Sequence, residues 1–229
     1  MQLISVNIGT EQPLDNGKTT GTSGIFKLPT TESIRITRDG IVNDIIMDKQ
    51  NHGGVDQALY VYGSPDYAWW STELGRELLP GIFGENLTIS DLESAALNIG
   101  DRLRVGEALI EVTSPRIPCA TLAARMGDPK FVKRFRFAER PGVYCRVIET
   151  GSVRAGDAVS LEPYHGETIT VIELMRLFYQ RDADEAALLR MLAAPIAIRA
   201  RVDTEERLAK VRAKASNVFL NRQGAKVAK

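Results

Sequence analysis

The sequence changes from short strand patterns to helical patterns at about residue 163, and this change most constrains the fold. Before it, apolar and polar residues alternate in short segments separated by turn residues, as β-strands require. After it, Thr170 and Glu173 match a capping box, the signature of a helix start. The sequence therefore predicts a mainly β domain over residues 1–163 and a small three-helix domain over residues 164–229.

Within the first domain the alternation predicts nine strands and two inserted helices. The strands are predicted at residues 2–8, 32–37, 41–47, 58–62, 83–89, 101–105, 108–113, 143–149 and 158–161. Ser64-Pro65 and Asp128-Pro129 each combine a capping residue with proline, so helices are predicted to begin there and to end near residues 80 and 139. Residues 15–24 are predicted to form a loop.

The second domain is predicted to contain helices at about residues 171–180, 183–193 and 196–213, with a frayed tail after them. Asp182 and Glu185 match a second capping box. A polar segment at residues 164–167 precedes the helices, and domain boundaries fall in such segments. We therefore expect the first domain to bind metal without residues 164–229. The apolar helix faces need a surface to pack on, which the first domain or a second copy in a homodimer would provide.

Composition excludes several classes of function. The 29 basic and 29 acidic residues balance, so no net charge favours nucleic acid as a partner. No apolar run approaches the ~20 residues that span a bilayer, and the first residues lack the features of a signal peptide. We expect a cytoplasmic protein with reduced thiols, because two cysteines make no disulfide framework.

The same counts restrict redox chemistry. The chain has 2 cysteines and 2 histidines, too few for a four-thiolate iron–sulfur cluster or a three-histidine zinc site. It also lacks a glycine-rich dinucleotide fingerprint and a Walker-type phosphate loop. A redox enzyme with this sequence would have to receive its electrons from a separate protein.

Cys119 is the leading candidate for a reactive residue. It follows the predicted strand 108–113 and two prolines, Pro115 and Pro118, which cannot donate to a sheet ladder. The thiol is therefore expected at the end of a strand, at the rim of a sheet, where functional groups are common. Cys145 lies inside the predicted strand 143–149, so we expect it to be a small core residue.

A polar, glycine-rich segment carries the second group of candidates. His52 lies between Lys49 and the pair Gly53-Gly54, whose backbone freedom would allow a close approach to a ligand. A cation and an imidazole in such a segment suit a thiolate or an anionic ligand. His165 lies in the predicted linker and receives no role. The basic segment 130–136 favours an amphipathic helix with cations in solvent, and a phosphate contact is the alternative.

Four motifs together resemble the MOSC domain, named after the C-terminal domain of molybdenum-cofactor sulfurases. They are His52-Gly53-Gly54-Val55-Asp56-Gln57-Ala58, Phe83-Gly84-Glu85-Asn86-Leu87, Ile99-Gly100-Asp101 and Pro115-Arg116-Ile117-Pro118-Cys119. The likeness extends over about residues 25–163, and the helices that follow resemble the C-terminal extension of the YiiM-like branch. The resemblance implies a β-barrel with inserted helices.

The resemblance also implies a cofactor, an activity and a site. Cys119 would ligate molybdenum or carry sulfur, with Lys49 and His52 beside it. The implied cofactor is molybdenum cofactor, in which molybdopterin holds the metal. The candidates for binding it are Gly53, Gly54, Asp56, Glu85, Asn86 and Arg116. The implied activity is reduction of small N-hydroxylated compounds, such as 6-N-hydroxylaminopurine, with electrons from a separate reductase. A soft thiolate is compatible with a high-valent metal that already has sulfur ligands, and His52 is the candidate proton donor.

Two other classes of function remain open on the residues alone. In one, Cys119 carries a persulfide and the protein is a sulfur carrier or transferase. In the other, the protein is a non-enzymatic module that binds and delivers molybdenum cofactor. None of the three hypotheses involves a nucleic-acid polymer or a membrane.

Overall fold

The computed structural model describes residues 1–15, 20–45 and 53–227. The strands are β1 Leu3–Gly9, β2 Gln12–Asp15, β3 Thr20–Ser23, β4 Lys27–Thr30, β5 Ile34–Thr37, β6 Gly40–Ile41, β7 Leu59–Gly63, β8 Leu87–Ile89, β9 Arg102–Val105, β10 Ala108–Pro115, β11 Val143–Glu149, β12 Gly151–Val153 and β13 Val159–Glu162. The helices are α1 Ser64–Leu74, α2 Ala120–Met126, α3 Phe131–Ala138, α4 Val171–Tyr179, α5 Glu185–Ala193 and α6 Ile198–Val227.

A mixed sheet of eight strands forms the centre of the molecule. Its order is β13-β9-β10-β11-β7-β8-β1-β4, and all neighbours are antiparallel except β7 and β8. The β9–β10 hairpin was predicted with its two-residue turn, Gly106-Glu107. Two smaller sheets, β12-β5-β6 and the β2–β3 hairpin, complete the strands that the structure describes. The large mixed sheet agrees with the predicted β architecture, whereas the division into two domains stays a prediction.

The predicted closed barrel is not confirmed, because the sheet has β13 and β4 as its edges. The start of β1 touches the residues before β13 at an isolated bridge between Gln2 and Ala158. Backbone hydrogen bonds join Leu3 to Gly156 and Asp157 at 2.8 and 2.9 Å. These contacts hold the start of β1 against the residues before β13, but they do not pair the two strands in a continuous ladder.

Residues on β7 and β11 point alternately into two cores. Leu59, Val61, Val143 and Cys145 belong to one apolar cluster, whereas Tyr60, Tyr62 and Tyr144 belong to an aromatic cluster on the opposite face. Trp70 of α1 and Phe131 and Phe135 of α3 cover the aromatic face. This confirms α3 as an amphipathic helix and Cys145 as a fully buried core residue.

Several predicted boundaries were wrong for identifiable physical reasons. Helix α1 ends at Leu74 because Gly75 adopts a left-handed cap, so it does not continue to residue 80. Residues 20–23 form a strand and not a loop, and the strand predicted at residues 41–47 stops at Ile41. Residues 46–47 lie outside the described part of the chain. The inserted helices number three and not two, because α2 was missed.

The C-terminal helices pack directly on the sheet. The predicted capping box at Thr170 and Glu173 is present at the start of α4, whereas α5 is capped by Asp184 and not by Asp182. Helix α6 continues to Val227, through the segment predicted as a frayed tail. Apolar residues of α4, α5 and α6 belong to the same buried cluster as β9, β10 and β11. No helix in the described ranges is both long and apolar enough to span a bilayer.

Candidate functional site

Cys119 lies directly after the long central hairpin, where the chain turns from β10 into α2. The last residue of β10, Pro115, still pairs with Val143 of β11, so the strand reaches two residues further than predicted. Three residues then lead to Cys119, which immediately precedes α2. The thiol is half-buried beside the aromatic cluster and forms no disulfide. The prediction of a thiol at the end of a strand agrees with this position.

Arg116 is a buried cation in contact with Cys119. Its guanidinium lies 4.9 Å from the centre of the Tyr60 ring, and Nη1 donates to the Phe83 carbonyl at 2.6 Å. Its side chain also hydrogen-bonds to that of Cys119. The Nε atom is buried and has no hydrogen-bond partner in the described part of the chain. Because arginine stays protonated at any physiological pH, Arg116 places a permanent positive charge next to the sulfur.

Glu85 is fully buried on the neighbouring loop. Its Oε1 accepts hydrogen bonds from Tyr67 Oη at 2.5 Å, Gly81 N at 2.6 Å and Thr88 Oγ1 at 2.9 Å. Its Oε2 is buried, and none of the described residues forms a hydrogen bond with it. Burial raises the pKa of Glu85, although these hydrogen bonds oppose the change. The carboxyl therefore has one oxygen that accepts three hydrogen bonds and one oxygen that is left for another donor.

Asn86 connects the loop to a buried ion pair that the sequence analysis missed. Its Oδ1 accepts from Tyr60 N at 3.1 Å, and its Nδ2 donates to Asp44 Oδ2 at 2.8 Å. Asp44 forms an ion pair with Lys27, and both side chains are buried. Burial lowers the pKa of Lys27, and the adjacent Asp44 carboxylate opposes this effect.

Arg125 adds a third cation to this part of the molecule. Its guanidinium lies 4.7 Å from the centre of the Phe26 ring, and its buried Nε has no hydrogen-bond partner within residues 1–15, 20–45 and 53–227. The charge of Glu85 acts on it, as it does on Lys27. Among the described charged groups, the cations Lys27, Arg116 and Arg125 therefore lie in the same region as the carboxyls of Asp44 and Glu85, which act on Lys27 and Arg125. The balance is positive even when both carboxyls are ionised.

The structure brings together only some of the predicted site residues. Cys119, Arg116, Glu85 and Asn86 are linked through their contacts with Tyr60 and the loop of residues 83–86. Gly53 and Gly54 have the positive φ angles, 81° and 83°, that glycine permits. Lys49 and His52 lie outside the described residues, so their predicted roles stay predictions.

Asp56 makes structural contacts at a different place. Its Oδ2 accepts from the backbone N of Ile198, at the start of α6, at 2.6 Å. Its Oδ1 lies 3.1 Å from Nε of Arg146, and its carbonyl accepts from Thr113 Oγ1 at 2.6 Å. These contacts join the segment after Gly54 to the sheet and to the last helix. The predicted role of Asp56 in binding the cofactor stays a prediction.

We expect Asp56→Ala to lower the free energy of unfolding by about 2–4 kcal/mol, because it leaves Arg146 and the α6 backbone without their partner. Asp56→Asn should lose less, since an amide oxygen can still accept from Ile198. Denaturant unfolding of both variants checks this, with the exposed Asp182→Ala as a control that should change little. A normal unfolding midpoint with a selective loss of bound molybdenum would instead support the predicted cofactor role.

We also expect the buried Glu85 to make stability depend on pH. Its folded-state pKa is raised above the ordinary value of 4.5. The stability gained by holding the proton is complete below the unfolded-state pKa and disappears as pH rises through the raised value. The free energy of unfolding of the wild type should therefore fall relative to Glu85→Gln as pH increases. Urea unfolding from about pH 5 to about pH 9 checks this, with exposed Glu205→Gln as control. Parallel curves for wild type and Glu85→Gln would contradict it.

No group of three or more His, Cys, Asp or Glu side chains in the described part of the chain is arranged to hold a metal ion. The prediction that Cys119 is a metal ligand therefore concerns a metal that brings other ligands with it. The second cysteine, Cys145, is fully buried in the apolar cluster, and burial raises the pKa of its thiol.

Comparisons with known proteins agree with the motifs. Residues 48–160 match the model of the MOSC domain. The uncharacterized protein YflK of Bacillus subtilis (strain 168) is 34% identical over 192 residues, covering 83% of this chain and 86% of that protein. A protein named as a reductase from Gibberella moniliformis is 32% identical over 149 residues, which are 62% of this chain and 26% of that protein.

A solved structure agrees at the level of the fold. The crystal structure of YiiM from Geobacillus stearothermophilus superposes with a TM-score of 0.75 at 26% identity, covering 90% of this chain and 98% of that one. The match includes the C-terminal helices as well as the sheet, because it extends over nine-tenths of the chain. The MOSC model, the identity to YflK and this structural likeness agree. The chain therefore belongs to the YiiM-like proteins of the MOSC domain family.

Proposed function

We propose that this protein binds molybdenum cofactor and reduces N-hydroxylated compounds, such as 6-N-hydroxylaminopurine, with electrons from a separate reductase. The observation that carries the proposal is the half-buried Cys119 thiol in contact with buried Arg116. Beside them, Glu85 Oε2 is buried without a hydrogen-bond partner among the described residues. The name of the fungal relative supports a reductase more than a carrier or delivery protein.

The residues present fit such a cofactor. Three buried polar atoms in this region have no hydrogen-bond partner among the residues that the structure describes: Glu85 Oε2, Arg116 Nε and Arg125 Nε. Buried polar atoms are nearly always paired, so these atoms are suited to a ligand with both acceptors and donors. The excess of cations suits an anionic group, and a pterin's amino and ring N–H groups suit a carboxyl oxygen.

The thiol suits the metal. Thiolate sulfur is a soft ligand, which favours a metal already held by the sulfur atoms of its pterin. When bound, the cofactor supplies the two-electron chemistry, for which the chain has no group of its own. Arg116 places a positive charge next to the sulfur that would ligate the metal.

The chain would also have to supply a proton to the oxygen that leaves an N–OH group. His52 is the proposed donor, because imidazole exchanges protons near neutral pH. Lys49 is proposed to stabilise the thiolate or the anionic part of the cofactor. Both residues lie in the segment before Gly53 that the structure leaves undescribed, so the assignment rests on the motif.

The experiment that tests the function measures molybdenum per chain and the rate of reduction per bound molybdenum, with an artificial electron donor. We expect His52→Ala to keep most of its metal and to lose roughly 10²–10⁴-fold in rate, as general acids typically contribute. Lys49→Ala should lose metal, and Lys49→Arg should recover part of it because the charge is kept.

Each other outcome selects another hypothesis. A metal-free wild type with a persulfide on Cys119 would indicate a sulfur carrier. A metal-loaded wild type without any reduction would indicate a delivery module. A metal-free His52→Ala would make His52 a ligand or cofactor contact and not a proton donor.

A further inference from the structure

Helix α3 concentrates positive charge in a chain that has no net charge. Residues 125–140, which include α3, contain six basic and two acidic residues, whereas the whole chain has 29 of each. Both acidic residues of this segment are already paired, Asp128 with Arg134 and Glu139 with Arg176 of α4. The segment therefore keeps an excess of cations.

Three of these cations lie beside an exposed aromatic ring on the outer side of α3. Lys130, Lys133 and Arg136 are exposed, and none forms an ion pair with a carboxylate among the described residues. Phe137 is 66% exposed although it is a large apolar residue. The guanidinium of Arg136 lies 5.5 Å, and Nζ of Lys133 lies 6.0 Å, from the centre of its ring. Lys130 precedes Phe137 by about two helical turns, so these four residues form one surface, the α3 face.

The buried side of α3 belongs to the aromatic cluster beside the candidate site. Phe131 and Phe135 are fully buried in this cluster, and Cys119 packs against it. The α3 face is thus separated from the cluster by one helix diameter, ~10–12 Å. Because the apolar side of α3 is buried in the protein, it is not available for insertion into a membrane, as an interfacial helix requires. The α3 face therefore suits a protein that comes close to the site without entering it.

Contacts with α4 hold the end of α3 in place. The guanidinium of Arg136 lies 3.8 Å from the centre of the Tyr179 ring, and Nε of Arg176 donates to Glu139 Oε1 at 2.7 Å. The α3 face is therefore formed before a partner arrives. A preformed surface loses little conformational entropy when it binds.

We propose that the α3 face is the docking surface for the protein that delivers electrons, and that this partner is a small acidic electron carrier. The inference rests on the proposed function, which needs electrons from outside the chain. Carboxylates of the carrier would face Lys130, Lys133 and Arg136, and an apolar part of its surface would cover Phe137. Electron-transfer complexes bury little area and use complementary charge for fast association. A small basic face around one exposed ring has both properties.

The electron balance defines what the carrier must supply. Reduction of an N–OH group to N–H with release of water takes two electrons and two protons. The carrier would give up both electrons, in one encounter or in two, and the protons would come from water through the proton donor of the site.

The first test measures binding to the full chain as purified. The probes are flavodoxin and a plant-type ferredoxin, two small electron carriers with acidic surfaces. We expect at least one of them to bind, and to bind at least about tenfold more weakly at ~0.3 M salt than at ~0.02 M, because salt screens exposed charges. Absence of binding by both carriers would overturn the proposal.

Charge reversal then locates the surface. At ~0.1 M salt, where charges more than ~10 Å apart are largely screened, Lys130→Glu combined with Lys133→Glu should weaken binding at least about fivefold. Lys210→Glu combined with Lys214→Glu is the matched control, because it makes the same change of net charge at two exposed lysines of α6. The control should weaken binding by less than about twofold. An equal loss in both variants would show that net charge and not the α3 face binds the carrier, and would overturn the proposal.

Phe137→Ala tests the aromatic part of the surface. It should weaken binding roughly three- to tenfold, as the loss of an aromatic anchor at an interface does. The loss should be similar at low and high salt, because an apolar contact is not screened. Normal affinity of this variant would overturn the proposed interface.

Turnover separates this inference from the proposed function. With reduced methyl viologen, a small artificial donor, the variant reversed at Lys130 and Lys133 should reduce the N-hydroxylated substrate at the wild-type rate. With a subsaturating protein carrier it should be at least about fivefold slower. Loss of rate with both donors would place the α3 face in the site itself and overturn the inference. A wild type that is inactive with methyl viologen would refute the proposed function, and the binding measurements would still decide whether the α3 face binds an acidic carrier.

Single-stranded nucleic acid is the other anion that suits cations beside an exposed ring. A short oligothymidine serves as its probe. Tighter binding of this probe than of either carrier, with the same loss on charge reversal at Lys130 and Lys133, would overturn the proposal.

Discussion

Cys119→Ser is expected to lower the rate of reduction of an N-hydroxylated substrate on the order of 10³-fold or more, as the loss of a group essential to chemistry does. A hydroxyl oxygen is a hard, neutral donor and a poor substitute for a thiolate at a soft metal site. The fold should survive, because Cys119 lies at the start of α2, half-buried, and offers no side-chain hydrogen bond as a helix cap. The free energy of unfolding should change by about 1 kcal/mol or less.

Cys145→Ala is the matched control because it removes the other sulfur. Cys145 is fully buried in the apolar cluster on the opposite face of the sheet. Its loss should cost about 1–2 kcal/mol through a small cavity and leave the rate per folded chain unchanged. The paired measurements are rate, molybdenum per chain and urea midpoint. Normal turnover by Cys119→Ser would refute the proposed function. If Cys145→Ala lost its metal at a normal urea midpoint, Cys145 and not Cys119 would be the metal ligand.

Local patterns were sufficient where neighbours along the chain determine the structure. The β9–β10 hairpin, β11, the buried Cys145 and the capping box of α4 were all predicted from adjacent residues. In each case strand alternation or a cap bond acts over a few residues. The prolines around Cys119 belong to the same category, since they end the ladder and place the thiol beyond it.

Helix α2 shows a local signal that was available and was missed. The run Ala120-Thr-Leu-Ala-Ala-Arg-Met126 consists mostly of strong helix formers. Gly127 then adopts φ 68° as a left-handed cap. The prolines before Cys119 favour an extended chain up to that residue, but they do not oppose a helix after it. The prediction stopped at the prolines and so left out the helix.

The ion pair of Lys27 and Asp44 lay beyond any local pattern. The two residues are 17 positions apart, and Asn86, which bonds to Asp44, is 42 positions from it. Nothing in a strand that begins with lysine indicates that its amine will be buried. Only the tertiary fold shows that a cation, an anion and an amide share a buried space beside Glu85.

Asp56 illustrates the opposite case, in which a motif indicated a residue but not its contacts. Its place after Gly53-Gly54 made it a candidate for the cofactor. Its side chain in the structure bonds the start of α6 and Arg146. Asp56 thus joins two parts of the fold that lie far apart in sequence.

A chain ending at Pro163 is expected to lose its cooperative unfolding transition, in contrast to the independence suggested by the polar linker. Six buried residues of the C-terminal segment lie in the same cluster as the sheet. Five are on the helices, and Ile196 lies between α5 and α6: Val171, Leu174, Leu188, Met191, Ile196 and Leu208. Burying each such side chain contributes about 1.5–3 kcal/mol. Their joint loss is on the order of 10 kcal/mol, which equals the whole stability of a typical domain.

Backbone contacts would be lost together with this apolar area. Ile99 N donates to Ile169 O at 3.0 Å, and Val171 N donates to Leu97 O at 2.9 Å. Ala197 N donates to the Thr113 carbonyl at 3.2 Å, at the end of β10 that leads to Cys119. Removing residues 164–229 would therefore expose both the core and the base of the candidate site, and metal binding should disappear with the fold.

A chain ending at Ala215 is the matched control. The helix residues of the shared cluster that the structure describes all precede residue 216, the last being Val211, which is partly buried. This shorter removal should leave the urea midpoint and the molybdenum content close to those of the full chain. The measurements are urea unfolding followed by tryptophan fluorescence, which reports on Trp70 in the aromatic cluster, and metal analysis. A cooperative transition and normal molybdenum in the chain ending at Pro163 would show that the sheet is stable alone and that the helices only cover it.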